Sequence, residues 1–273
     1  MKQIISYGLL FASSFLYAQV NKIEHFFLSS PRADSLFHFF NAKLGTPAVW
    51  DYNNWGSFSS GAVSLGNVAF EFVSYPGVTI TRFDGIALEP KQPLEEFIKI
   101  LDHNKVSHDT IEANTYVSND GSIGGWSNLN LKNLLPDEAG LFICDYKKRD
   151  QIFKNRQTSA DSLKKNNGGP LGILFLKEIV IASTNYRSQT VELAKLPGIK
   201  RNAHNLFSFE QGPSIRLKNS NLNGIEKIVL KVNSLEETKK YLKSKNLLGA
   251  ISKNSIFIDP GSIDGLLVEL TDE

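Results

Sequence analysis

Aromatic, imidazole and thiol side chains are the groups in this sequence whose type and spacing could do chemistry on a small molecule. Trp50, Asp51, Tyr52 and Trp55 crowd one stretch, and Trp126 holds a comparable place further along. Aromatic rings with a polar edge line small-molecule clefts, although they also build ordinary cores. Two of the three tryptophans fall in that one stretch, which points to a pocket in the first half of the chain. His25 lies in IEHFF, and the phenylalanines beyond it describe, taken alone, a histidine satisfied within a core. Cys144 in GLFICDY would need a basic neighbour to act as a nucleophile, and its apolar flanks describe a buried, unreactive thiol. His103 and His108 bracket a helix end and read as exposed, while His38 and His204 have no partner at a telling spacing. Dinucleotide, phosphate-loop, nucleophile-elbow and paired-cysteine signatures are absent.

The elements that must position these residues repeat. A strand-like run, IEHFFLSS, leads to the helix PRADSLFHFFNAKLG and then to strands ending in NVAFEFVSY. The same order returns from RFDGIALEP, from LKEIVIAS and from IEKIVLKV, so the chain holds four βαβββ units. In the first helix, Leu36, Phe37, Phe39, Phe40 and Leu44 make one wide apolar face, with Gly45 as its stop and Pro47 beyond it. Ser234 followed three places on by Glu237 is a cap signal for the last helix. GSIGG at 121–125 reads as a turn between strands. The polar run 147–169 breaks the pattern and reads as a solvated connector between halves.

The composition is that of a core-forming protein: 273 residues, 41% hydrophobic and 21% charged. Thirty basic and 28 acidic residues leave a net charge of +2, a balance that gives no reason to expect nucleic acid. Residues 1–18 read as an export signal, with Lys2 before an apolar stretch and Ala18 at a cleavage point. The stretch is shorter than the roughly 20 apolar residues a membrane span needs. An exported, periplasmic or secreted protein is therefore expected. With one cysteine it has no internal disulfide, and its stability must come from its core.

IEHFF with its helix and LG, GNVAFEFV at the last strand of the first unit, and GLFICDY at the last strand of the second carry a resemblance. The chain resembles the vicinal oxygen chelate superfamily of glyoxalases, bleomycin-resistance proteins and extradiol dioxygenases, and within it the glyoxalase-like domain proteins. The resemblance implies an α+β fold in which the four units pair into two curved mixed-sheet cups. The expected divisions are a signal at 1–18, a first glyoxalase-like domain at 19–146, a connector at 147–169 and a second, degenerate domain at 170–273.

The resemblance also implies metal ligands on the first and last strand of each unit. It places His25 and Glu71 in the first unit, and Gly85 with Cys144 in the second. His25 and Glu71 suit zinc, manganese, nickel or iron. In the second cup it places Glu178, Arg216, Lys227 and Glu269, which reads as a salt-bridged floor rather than a metal site. The leading expectation is a metal-dependent lyase, isomerase or dioxygenase acting on a small oxygenated metabolite in the first cup. His25 and Glu71 would hold the metal, and Trp50, Asp51, Trp55, Trp126 and Cys144 would contact substrate. The alternative is a metal-free protein that binds or sequesters a small molecule without catalysis. Neither the catalytic residue nor the oligomeric state is fixed by spacing.

Overall fold

A computed structural model describes residues 20–117 and 123–273, so the expected export signal lies outside the described residues. The first unit is β1 (Val20–Ser29), α1 (Ala33–His38), β2 (Ala48–Asn54), β3 (Ser59–Ser64) and β4 (Ala69–Ser74). The second is β5 (Arg82–Pro90), α2 (Leu94–His103), β6 (Glu112–Val117), β7 (Ile123–Leu131) and β8 (Gly140–Tyr146). After α3 (Arg149–Lys165) the third runs through β9 (Ile173–Ser183), α4 (Tyr186–Leu193), β10 (Lys200–Arg201), β11 (Leu206–Ser208) and β12 (Ser214–Asn219). The fourth is β13 (Gly224–Val232), α5 (Leu235–Ser244), β14 (Leu248–Ile251), β15 (Ile256–Ile258) and β16 (Val268–Thr271).

The units pair into two eight-stranded mixed sheets, ordered β2-β3-β4-β1-β5-β8-β7-β6 and β10-β11-β12-β9-β13-β16-β15-β14. This is the expected α+β architecture. In each unit the first strand runs parallel to the last, and the two first strands meet antiparallel at the centre of the sheet.

Alternation along the strands sorts the side chains. On β1 and β4, Phe26, Leu28, Phe70 and Phe72 face the helix side and are buried, while His25, Phe27 and Glu71 face the other way. In α1, Leu36 and Phe37 are buried, and a π-helical turn over Phe39–Lys43 continues the apolar face through buried Phe40 to Leu44. Gly45, at φ +69°, turns the chain out of the helix, a conformation that costs little without a Cβ. Ser234 caps α5 as expected, its Oγ accepting from the Glu237 N–H at 3.3 Å.

One continuous core spans both halves. Asn67 clamps the seam, donating from Nδ2 to the Leu176 carbonyl and accepting at Oδ1 from the Leu176 N–H, each at 3.0 Å. The run 147–169, expected as a solvated connector, contains the 17-residue helix α3. It packs on the open side of the first sheet, where Leu163 joins the core and the Ser159 hydroxyl donates to the Ala48 carbonyl at 2.7 Å. Part of the GSIGG segment, expected as a turn, belongs to β7, where Gly124 and Gly125 pair with β6. Among the described residues no helix is long and apolar enough to cross a membrane.

Candidate functional site

The face of the first sheet turned away from α1 and α2 forms a cup, and α3 closes over it. Between them lies a cavity of about 390 Å³, a volume typical of small-molecule sites. Its floor depends on a bulge in β1. Ile23 pairs with Leu88 and His25 with Ala87, so Glu24 is an extra residue in the ladder. A bulge re-aims side chains, and here two consecutive residues turn toward the same side.

Glu24 is shut off from solvent, and its carboxylate gathers three partners: Arg156 of α3, the ring Nδ1 of His25, and the Tyr146 hydroxyl, which donates at 3.2 Å. The Arg156 guanidinium also lies over the Tyr146 ring at 5.4 Å. Burial lowers the Arg156 pKa to about 9, which still leaves it charged at neutral pH. Burial also pulls His25 below its ordinary value, which favours the neutral imidazole and is partly offset by the Glu71 charge. Its Nε2 lies 3.4 Å from a Glu71 oxygen.

The walls are aromatic. Ser60 Oγ accepts from the Trp55 indole N–H at 3.2 Å and lies 3.4 Å from that of Trp50, which ties both rings to β3. Phe58 meets Trp126 edge to face at 6.0 Å, joining the first unit's hairpin to the second unit's sheet. Phe142 packs edge-on against His25 at 5.9 Å and against Phe27 at 6.2 Å. Rings held this way keep their shape with little entropy left to lose on binding.

Of the residues singled out from sequence, the structure brings His25, Glu71, Trp50, Trp55, Trp126 and Cys144 to this cavity. Asp51 is not among them. It is exposed on β2 and does not line the cavity. Burial raises the Cys144 pKa to about 12, ahead of a smaller opposing effect from a Tyr146 hydrogen bond, so it stays a thiol. Glu24, Ser60, Tyr146 and Arg156 were not anticipated. The one signal for them was a glutamate inside an otherwise apolar strand, which demands a partner once buried.

The ladders also settle which residues correspond between units. Phe27 pairs with Gly85 and His25 with Ala87, so the local two-fold between β1 and β5 maps His25 onto Gly85. Glu71 pairs with Phe27, and Phe142 with Ala87, so the same operation maps Glu71 onto Phe142. Cys144, expected near that place, lies two residues further along the strand. The floor is therefore half polar and half apolar. A Cβ added at Gly85 would come within 2.4 Å of the Phe27 ring, which fills the space a ligand side chain would need. Gly85→Ala is expected to cost about 1–3 kcal/mol by overpacking, with Phe27→Leu in the same chain recovering most of it. Chemical denaturation of the single and double variants measures both.

The metal that the resemblance implies does not fit this donor set. A catalytic metal takes three protein ligands with one position left open. Beside a Cys144 that stays a thiol the cup offers two, and where their mates would stand are a glycine and a phenylalanine. Among the described residues no group of three or more His, Cys, Asp or Glu side chains is placed to hold an ion.

In the second sheet the corresponding four positions are Glu178, Arg216, Lys227 and Glu269, as expected, and they pair within their own units. Arg216 donates to Glu178 through Nε at 2.5 Å and Nη2 at 2.6 Å, and Lys227 donates to Glu269. This floor satisfies itself.

No protein-family model matches the sequence, and no curated relative matches it either. Solved structures do. A hypothetical protein from Staphylococcus aureus superposes with a TM-score of 0.61 at 12% identity, over 92% of this chain and 99% of that one. A mutant of homoprotocatechuate 2,3-dioxygenase from Brevibacterium fuscum gives 0.57 at 9% identity, over 95% of this chain and 73% of that one. A variant of the same enzyme in complex with HPCA gives 0.59, again at 9% identity with the same coverage. The chain thus shares its two-cup fold with an extradiol ring-cleaving dioxygenase, at an identity that speaks for the fold alone.

Proposed function

We propose that this chain is a small-molecule-binding protein of the vicinal oxygen chelate superfamily, whose first cup holds an apolar, ring-bearing ligand without a metal. The cavity carries this reading: about 390 Å³, walled by Trp50, Trp55, Phe58, Trp126 and Phe142, with two adjacent acceptors at its floor. Such a cup is largely preformed, and apolar burial against rigid rings supplies affinity while the floor supplies orientation. A lyase, isomerase or dioxygenase of this fold would need a third ligand to fix the metal that polarises its substrate. Gly85 and Phe142 supply none, and Cys144, in the cavity wall beside Phe142, stays protonated. Residues 1–18 are read as an export signal, so the ligand would be met in the periplasm or outside the cell.

Metal content separates binder from enzyme. After incubation with zinc, manganese, nickel or ferrous iron and desalting, the purified protein is expected to retain well under about one equivalent of any of them. Elemental analysis showing a full equivalent, lost in both His25→Ala and Glu71→Ala, would restore the metalloenzyme reading.

A further inference from the structure

The floor of the first cup specifies more than an apolar guest. Neutral His25 has one ring N–H. The contact with the buried Glu24 carboxylate assigns that proton to Nδ1, because a charged acceptor makes the stronger bond. Nε2 then carries a lone pair on the cavity side, 3.4 Å from a Glu71 oxygen. Two acceptors stand side by side, and among the described residues no other side chain donates to Glu71. Once a guest fills the cup and excludes water, an acceptor left without a partner costs free energy, and two side by side repel. A hydrogen-bond donor placed between them relieves both.

The charge around the floor has a sign as well. The cavity's cation, Arg156, pairs with Glu24 through Nη2, while its Nε and Nη1 are buried without a partner. Those two charges cancel, and the carboxylate of Glu71 remains. An anion entering the cup would meet that charge. A neutral hydrocarbon would leave both acceptors desolvated and unpaired. A cation is stabilised twice, by the carboxylate and by the negative faces of aromatic rings. Trp50, Trp55 and Trp126 line the same cavity.

We propose that the first cup selects a protonated arylalkyl amine, its ammonium donating to the Glu71 carboxylate and to His25 Nε2 and its ring packed among Trp50, Trp55 and Trp126. The inference rests on the metal-free binding reading above and adds the ligand's charge and shape to it.

Three probes of one size and different charge test it on the full purified chain by isothermal titration calorimetry: phenethylamine, 2-phenylethanol and phenylacetate. Phenethylamine is expected to bind about ten-fold or more tighter than 2-phenylethanol, with phenylacetate weakest. In Glu71→Gln, which keeps the side chain's shape, that preference is expected to disappear while 2-phenylethanol binding stays. Comparison of the three probes on the unaltered protein stands even if the variant fails to fold. Equal or tighter binding of the alcohol or the acid would overturn the amine proposal and leave the apolar cup intact. Binding of none of the three would overturn both the amine proposal and the binding reading. Binding of phenethylamine that survives Glu71→Gln unchanged would place the amine elsewhere and overturn the assignment of the floor.

Discussion

Replacing Arg156 with methionine is expected to destabilise the protein by about 3–5 kcal/mol, a loss of roughly 10 °C in melting temperature for a chain of this size. The size follows from what is left behind. Glu24 is shut off from solvent, and its carboxylate would keep only a neutral imidazole and the Tyr146 hydroxyl as partners. Removing one member of a buried pair strands a charge, whereas removing both does not. Glu24→Gln together with Arg156→Met is therefore expected to recover most of the loss. An exposed pair behaves differently. Lys240 reaches Glu237 at 2.8 Å on the surface of α5, and Lys240→Met is expected to leave the melting temperature where it was. Thermal melts of the four proteins decide the matter. An Arg156→Met variant as stable as the parent would mean that α3 does not lie latched over the cup. The latch also ties function to stability, since Arg156 lines the cavity and its helix supplies Gln151, Ile152 and Asn155 to the same wall.

Phe70→Ala is expected to cost a similar about 3–5 kcal/mol, for a different reason. The Phe70 ring stacks on Phe26 at 4.5 Å, meets Phe72 at 4.4 Å and Phe40 edge-on at 5.3 Å, and all four rings are buried. Truncation leaves a cavity that rigid neighbours cannot close, and cavity cost adds to lost apolar burial. Phe70 and Glu71 are neighbours on β4, one facing the core and the other the cup. The variant should therefore weaken ligand binding along with stability, through the strand rather than through contact. Urea denaturation measures the first effect. A change well under 1 kcal/mol would contradict the packing described here. Ile80, an exposed residue outside the strands, is the comparison, and Ile80→Ala is expected to change neither property.

Much of this protein is decided by short-range pattern. Four strand–helix–strand repeats are legible because each helix carries an apolar face and each first strand an apolar run, signals that depend on neighbours a few residues away. The cap of α5 is local in the same sense, a serine and the N–H three residues on. The aromatic wall is legible in part, since Trp50 and Trp55 lie in one hairpin and a concentration of indoles can be counted.

Tertiary structure decided the rest. α3 reads as polar connector because it offers only Leu163 and a few small residues to the core. Its place is set by Ser159 meeting Ala48 and by Arg156 finding Glu24, a partner on a strand far back in the chain. That contact depends in turn on the bulge at Glu24, a property of the pairing between β1 and β5 and not of either strand alone. The same pairings put Phe142, not Cys144, opposite Glu71 across the two-fold. Alignment by pattern could place the strand but not its register, and register moves side chains from one position or face to another. Whether His25 and Glu71 have company enough to hold a metal was therefore never a matter of those two residues. It turns on Gly85 and Phe142, which only the assembled sheet brings to the floor.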